Sequence, residues 1–422
     1  MHRFVVIGSS VAGIRAAETL RQADPGCDVT VVSDETETPY DRPPLSKKFL
    51  TGDLPEENIA LRKQDVLDSI GATWVRGQAA TVLDMSARTV TLADGSTLSW
   101  DGVIIATGGR ARHIPTVPKV PGVHVLRTIA DARGLKNGLQ SARNLVVIGA
   151  GFIGLEAAAT ARQMGVNVTV LEGAPAPLVR GLGAEMGAAV AQVHARNGVT
   201  VRCGVSIEGI ETAEDGHVSA VRLAGGESVP ADVVLVGIGV TPATDWLESS
   251  GLQLRDGVVC DAHLNAGAPG VYAAGDVLRW PNEMFSHVEP DMRVEHWTNA
   301  AEQGAVAARN VIAELNGTER ETYSAVPFFW SDQFDARIQF LGRSHPDAEV
   351  SVVAGSVEEG RWCAMYVLHG RLLAVMGVTM PKFVMSSRAL LMKETSREEA
   401  LAHFENLRNA PVPPPRPAPP GN

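Results

Sequence analysis

The chain has 422 residues, 45% of them hydrophobic and 20% charged, with a formal net charge of −11. That length calls for two or three cores rather than one. The acidic balance argues against nucleic acid or an anionic membrane as partner, and no run approaches the roughly 18 apolar residues of a membrane span.

Met1-His2-Arg3-Phe4 leads straight into a strand-like run without a signal-peptide pattern. Phe4-Val5-Val6-Ile7 predicts a buried strand, Gly8-Ser9-Ser10-Val11-Ala12-Gly13 a tight turn, Ile14 to about Ala23 a helix, and Asp28 to Val32 a second strand. The pattern returns further on. Leu145 to Ile148 runs into Gly149-Ala150-Gly151-Phe152-Ile153-Gly154, then into a helix ending near Met164-Gly165 and a strand from Val166 to Leu171 that stops at Glu172. Shorter apolar strands lead into Ala106-Thr107-Gly108-Gly109, Gly237-Ile238-Gly239 and Ala274-Gly275-Asp276, the last strand stopping at the acidic residue.

The economical arrangement is nested. A first domain of 1–110 and 237–318 would hold an inserted domain of 111–236, followed by a C-terminal domain of 319–410 with strands at Arg361–Leu368 and Arg371–Thr379 and a helical end. The Pro-rich run 411–422 is expected to be extended and solvated. The four cysteines, Cys27, Cys203, Cys260 and Cys363, form no C-x-x-C pair, which fits a reduced cytoplasmic protein with no cysteine-held metal.

Each glycine run stands between a strand and a helix, with an acidic residue past the following strand. In such a unit the first glycine permits the turn, the second admits a pyrophosphate to the backbone, and the third lets helix and strand pack. The helix N-terminus supplies N–H donors for phosphate. In the first loop Ser10 stands at the second glycine position, and its small side chain is compatible with phosphate. Asp34 or Glu35 in the first unit and Glu172 in the second are placed to accept ribose hydroxyls. After Glu172 no basic residue precedes Arg180. NADH rather than NADPH is therefore expected in the second unit. Two nucleotide sites suggest a relay from nicotinamide to flavin. The segment Thr38 to Phe49 contains no cysteine, so no dithiol is built in beside the first unit and electrons must leave for an external acceptor.

At this point Pro39-Tyr40-Asp41-Arg42-Pro43-Pro44-Leu45-Ser46-Lys47 resembles the signature of oxygenase-coupled ferredoxin reductases. The likeness continues through Ala106 to Gly109, Gly149 to Glu156, Gly237 to Gly239, Ala274 to Asp276, Glu295-His296-Trp297 and Phe329 to Gln333. It implies an α/β, glutathione-reductase-like fold with two Rossmann-type dinucleotide-binding domains and a C-terminal α+β domain. It implies an activity that takes electrons from NADH through FAD to a 2Fe-2S ferredoxin serving a haem-thiolate monooxygenase or a Rieske dioxygenase.

The loop pattern and the resemblance together distribute roles. Gly8, Ser10, Ala12, Gly13, Asp34, Glu35, Arg42, Lys47, Ala80, Ala106, Thr107, Gly108, Arg127, Asp276, Glu295, His296, Trp297 and Trp330 fall to FAD. Gly149, Gly151, Phe152, Ile153, Gly154, Glu156, Glu172, Arg180, Ile238 and Gly239 fall to NAD. Lys47 and Glu156 match an ion pair beside the reactive flavin nitrogen. Between residues 361 and 393, Arg361, Arg371, Lys382, Arg388 and Lys393 occur without Asp or Glu, which suggests a basic face for an acidic ferredoxin. An NADH oxidase and a signalling flavoprotein resembling apoptosis-inducing factor are the alternatives.

Overall fold

In the computed structural model, which describes residues 1–409, three five-stranded sheets organise the chain. The Pro-rich run lies outside the described residues. The first sheet is parallel throughout, in the order Val271–Ala273, Gly102–Ile105, Arg3–Ile7, Asp28–Ser33, Thr73–Arg76. Its central strands are apolar runs because they are buried at nearly every residue, which leaves neither face to solvent. The second is also parallel, in the order Thr200–Cys203, Asn167–Glu172, Asn144–Ile148, Val233–Val236, Val123–Val125. Two chain crossings join these units, paired antiparallel as Gly109–Ala111 against Val240–Pro242.

The third sheet is antiparallel: Phe328–Gln333, Ala336–Gly342, Arg371–Val378, Arg361–Leu368, Glu349–Ser356. Arg361–Leu368 is buried at every residue but the first, so both faces of this sheet are covered. The helices Pro381–Ser386 and Arg397–Asn409 pack on this sheet, and the second unit's helix Phe152–Gln163 packs against its first strand.

Two boundaries differ from the sequence reading. The first helix begins at Val11, not Ile14, so Gly13 lies in its first turn. A Cβ there would lie 1.8 Å from the Gly8 carbonyl oxygen, and glycine lets the helix start this close to the loop. The strand before Asp276 ends at Ala273, and Asp276 sits in a single 3-10 turn, Gly275–Val277. Gly275 there has φ +79° and its N–H donates to Gln303 Oε1 at 2.9 Å, which turns the chain out of the sheet before the acidic residue arrives.

The helix Trp297–Leu315 lies across the first helix, Val11–Ala23, at van der Waals range. Gly304 permits this: a Cβ on it would fall 2.2 Å from the Ala12 carbonyl oxygen. Gly304→Val should therefore force the helices apart and lower unfolding stability by about 3 kcal/mol. Urea titration followed by circular dichroism measures this, and an unchanged midpoint would contradict the packing.

Candidate functional site

The first loop opens into a cavity of about 300 Å³. Gly8, Ser10, Asp34, Glu35, Arg42, Ala80, Ala106, Thr107 and Arg127 line it, nine of the residues expected from the sequence. Gly8 has φ +113°, and a Cβ on it would lie 2.2 Å from the Ala106 carbonyl oxygen, so the loop closes only with glycine. Ser10 caps the helix through its backbone, its hydroxyl making no cap bond, which leaves the first-turn N–H groups open to an anion. Gly108 touches the cavity's edge through Arg127. Tyr40, Gln78, Arg110, His113 and Trp246 line the cavity too and were not among the expected residues. Tyr40 lies inside the signature segment, but the other four carry no local pattern.

Beneath the cavity sits a polar cluster. Arg42 Nη2 contacts Glu35 Oε1 at 2.6 Å, and its Nη1 donates to the Arg127 carbonyl at 2.6 Å. The Tyr40 hydroxyl donates to Glu35 and accepts from the Ile129 N–H at 2.9 Å; burial pushes its pKa up. Arg127 Nη2 pairs with Asp276 Oδ2 at 3.0 Å while its Nε donates to the Gly109 carbonyl at 2.9 Å. Asp34 is exposed and has no hydrogen-bond or ion-pair partner among the described residues, whereas Glu35 is held by Arg42 and Tyr40.

Lys47 and Glu156 meet at 2.7 Å although 109 positions separate them (156 − 47 = 109). A 3-10 turn, Pro43–Ser46, delivers Lys47, whose Nζ also donates to the Pro43 carbonyl at 3.0 Å. Glu156 stands in the first turns of the second unit's helix and is only 6% exposed. Ser46 Oγ donates to its Oε2 at 2.5 Å and Ser331 Oγ, from the third sheet, donates to its Oε1 at 2.6 Å. Segments from all three sheets thus converge on one carboxylate.

Trp297 Nε1 donates to Asp41 Oδ1 at 2.8 Å, fixing the indole over the signature segment. Burial pushes the Asp41 carboxyl pKa up, against the opposing pull of Trp297 and Lys47. His296 packs on Phe329 with ring centroids 4.8 Å apart, and its Nδ1 is sealed and unpartnered. Trp330 is half-buried and stacks on Phe328. Glu295 turns to the surface, where Arg293 holds it at 2.6 Å.

The second loop repeats the geometry of the first. Gly149 has φ +101° with a Cβ position 2.5 Å from the Gly237 carbonyl, and a Cβ on Gly154 would meet the Gly149 carbonyl at 2.4 Å. Gly151, the middle glycine, has only the Gly237 carbonyl within 4 Å of its Cβ position, at 3.8 Å, leaving space for a ligand. Glu172 accepts from the Ala150 N–H at 2.6 Å and from the Ala174 N–H at 2.8 Å. Phe152 leaves the loop to pack edge-on against Phe329 of the third sheet, with centroids 4.6 Å apart. Ile153 is 39% exposed, and Ile238 and Gly239 lie in the loop that follows the Val233–Val236 strand, with Ile238 3.2 Å from the Cβ position of Gly149. Arg180 is exposed, and its carbonyl accepts from Ser344 Oγ.

Of the five cations expected to form a basic face, Arg371 is matched by Glu394 at 2.8 Å, just past the acid-free stretch. Arg361 is exposed and Arg388 half-buried. Lys382 and Lys393 are exposed on neighbouring short helices and turns, together with Met385 (47%) and Met392 (59%).

Two glycine-rich βαβ units with a buried Lys–Glu pair at their meeting point define a two-nucleotide oxidoreductase architecture. The chain belongs to the pyridine nucleotide-disulphide oxidoreductase family, which residues 2–304 match, and residues 328–407 match the reductase C-terminal family. It is 38% identical to rhodocoxin reductase of Rhodococcus erythropolis over 92% of this chain and 89% of that one. Putidaredoxin reductase of Pseudomonas putida is 33% identical over 96% of this chain and 94% of its own. Among solved structures, a covalent putidaredoxin reductase–putidaredoxin complex superposes with a TM-score of 0.88 at 30% identity, covering 97% of this chain and 99% of that one. No helix among the described residues is long and apolar enough to cross a membrane.

Burial, with Arg343 nearby, pulls the His296 pKa down to about 3. Its folded pKa lies below the unfolded value, so the unfolded chain takes up the proton first as pH falls. Stability is full above roughly pH 6.5 and declines below it, levelling near the folded pKa. His296→Phe should remove about 1.4 kcal/mol per pH unit of this slope between roughly pH 6 and 4. Chemical denaturation across that range reads the difference, and parallel slopes for the two proteins would refute it.

Proposed function

We propose that the chain is an NADH-dependent ferredoxin reductase, holding FAD in the first dinucleotide unit and NADH in the second, and passing electrons to a 2Fe-2S ferredoxin. The observation that carries this reading is the Lys47–Glu156 pair at the junction of three sheets, on a segment without cysteine. The names of the relatives support the partner. Beside those already given, a ferredoxin–NAD(+) reductase component of an anthranilate dioxygenase system from Burkholderia cepacia is 34% identical over 92% of this chain. The oxygenase served is then a haem-thiolate monooxygenase or a Rieske dioxygenase. Four unpaired cysteines support a cytoplasmic setting.

The residues of the first cavity fit FAD. Gly8, Ser10, Ala12 and Gly13 would hold the pyrophosphate, Asp34 and Glu35 the ribose, and Ala80, Ala106, Thr107, Gly108, Arg42, Arg127 and Asp276 the body of the cofactor. Trp297, Trp330, His296 and Glu295 would border its ring end. A bound flavin accepts two electrons as hydride and releases them singly, which matches a nicotinamide donor to a one-electron acceptor. Around it Lys47 holds positive charge at the ring end, Glu156 keeps that ammonium in place, and the aromatic wall excludes water. Gly149, Gly151, Phe152, Ile153, Gly154, Glu172, Arg180, Ile238 and Gly239 would hold NADH, the carboxylate of Glu172 disfavouring a 2′-phosphate. We divide the chain accordingly into an FAD domain of 1–110 with 237–318, an NAD domain of 111–236 and a C-terminal domain of 319–410.

The purified protein should be yellow and bleach anaerobically with one equivalent of NADH, whereas NADPH should bleach it far more slowly. A colourless protein, or one bleached only by NADPH, overturns the proposal. For docking, Lys382 and Lys393 are exposed cations of the basic stretch that have no ion-pair partner among the described residues, and they stand beside exposed methionines. Lys382→Glu with Lys393→Glu should raise the KM for ferredoxin about tenfold at low salt and leave NADH–ferricyanide turnover unchanged. Equal ferredoxin kinetics would remove this surface from the partner's path.

A further inference from the structure

Glu156 has a second line of support that leads away from Lys47. Its Oε1 accepts from Ser331 Oγ at 2.6 Å; Ser331 Oγ lies 3.0 Å from Gln333 Nε2; and Gln333 Oε1 lies 2.8 Å from His194 Nε2. His194 is fully buried in the last turns of the helix Val179–Arg196, its ring edge-on to Phe334 with centroids 5.3 Å apart. Ser331 and Gln333 are buried as well, so no solvent competes for these bonds.

Hydrogen-bond accounting gives this chain one direction. With Lys47 and Ser46 both on Oε2, Glu156 is a carboxylate and only accepts. The single Ser331 proton is therefore spent on Oε1, and Ser331 must accept from its other neighbour. That neighbour is then the amide NH2 of Gln333, which turns the Gln333 carbonyl oxygen towards His194. A carbonyl only accepts, so His194 Nε2 carries the proton. The same tautomer leaves Nδ1 bare, in agreement with Nδ1 being buried without a partner. Burial also pulls the imidazole pKa down, so the ring is neutral and has one proton to place.

We propose that His194 is a positioning residue for Glu156: by donating through Nε2 it fixes the Gln333 amide, which aims the Ser331 hydroxyl at the carboxylate that holds Lys47. The inference rests on the reading of Lys47 and Glu156 as the pair at the ring end of FAD. Without the His194 donor the Gln333 amide is free to turn, its oxygen competes for the Ser331 proton, and Glu156 loses the donor on Oε1. The second unit thereby contributes both ends of the chain, Glu156 and His194, and the third sheet contributes its middle.

The tautomer is tested on the wild-type protein as purified, with its flavin oxidised and diamagnetic, by histidine nitrogen NMR. A proton on Nε2 of His194 that is slow to exchange is expected, and an Nδ1-protonated or cationic ring overturns the proposal. In the flavin-loaded protein, stopped-flow mixing with NADH separates binding from hydride transfer. His194→Leu should lower the limiting rate of flavin reduction about tenfold with little change in the NADH Kd. His194→Gln, which retains an N–H donor, should recover most of that loss. Ser331→Ala should cost a similar factor, and the double variant His194→Leu/Ser331→Ala no more than Ser331→Ala alone. Equal slowing by His194→Leu and His194→Gln, or additive losses in the double variant, would reduce His194 to packing. Glu156→Gln serves as the reference. If it leaves flavin reduction unchanged, the assignment of the ion pair fails; if it slows reduction and His194→Leu does not, only the inference fails.

Discussion

A buried carboxylate is tolerated only when its lone pairs are filled, and Glu156 has three donors, Lys47, Ser46 and Ser331, drawn from two segments outside its own helix. That requirement ties the three sheets together at one point more firmly than apolar contact does. Apolar surfaces slide, whereas a half-satisfied carboxylate is penalised at once. The segment from Pro39 to Lys47 takes its shape accordingly. Asp41 anchors Trp297, Arg42 anchors Glu35 and the Arg127 carbonyl, Ser46 and Lys47 anchor Glu156, and Thr160 returns a bond to the Ser46 carbonyl at 2.8 Å. Every polar residue of this stretch is committed, Tyr40 and Arg42 to Glu35, Asp41 to Trp297, and Ser46 and Lys47 to Glu156.

The parts of this architecture that the sequence displays are those governed by local geometry. The two glycine loops are legible because a positive φ and a backbone approach near 2 Å to a virtual Cβ admit only glycine, as at Gly8 and Gly149. The parallel strands are legible because burial on both faces demands unbroken apolar runs such as Phe4–Ile7 and Leu145–Ile148. The missing cysteine beside Lys47 is likewise a local fact, and it removes an internal dithiol without reference to any coordinates.

What escaped detection depends on long-range convergence. Gln78, the Arg110–His113 segment and Trp246 reach the first cavity from three separate stretches of chain, and no spacing rule links them. The path from Glu156 through Ser331 and Gln333 to His194 joins residues far apart in the chain, and although Glu156, Ser331 and Gln333 lie in recognisable stretches, His194 carries no local pattern that links it to them. The charge count over residues 361–393 missed its counterweight for a similar reason: Glu394, one position beyond the window, folds back onto Arg371. Asp276 was read as the end of a strand because the run before it is apolar. Gly275 and Gln303 decide otherwise, and they are distant in sequence.

The close crossing of helices at Gly304 has a geometric consequence of its own. The helix Trp297–Leu315 begins beside the Lys47 segment, through Trp297 and Asp41, and two turns later presses Gly304 onto Ala12 at the first glycine loop. Two turns of α-helix advance roughly 11 Å. A rigid rod therefore spans the interval between the first glycine loop and the segment that carries Lys47. It acts as a ruler: the separation of these two points is set by helical rise and not by the loops between them, so those loops are free to vary without shifting one point relative to the other.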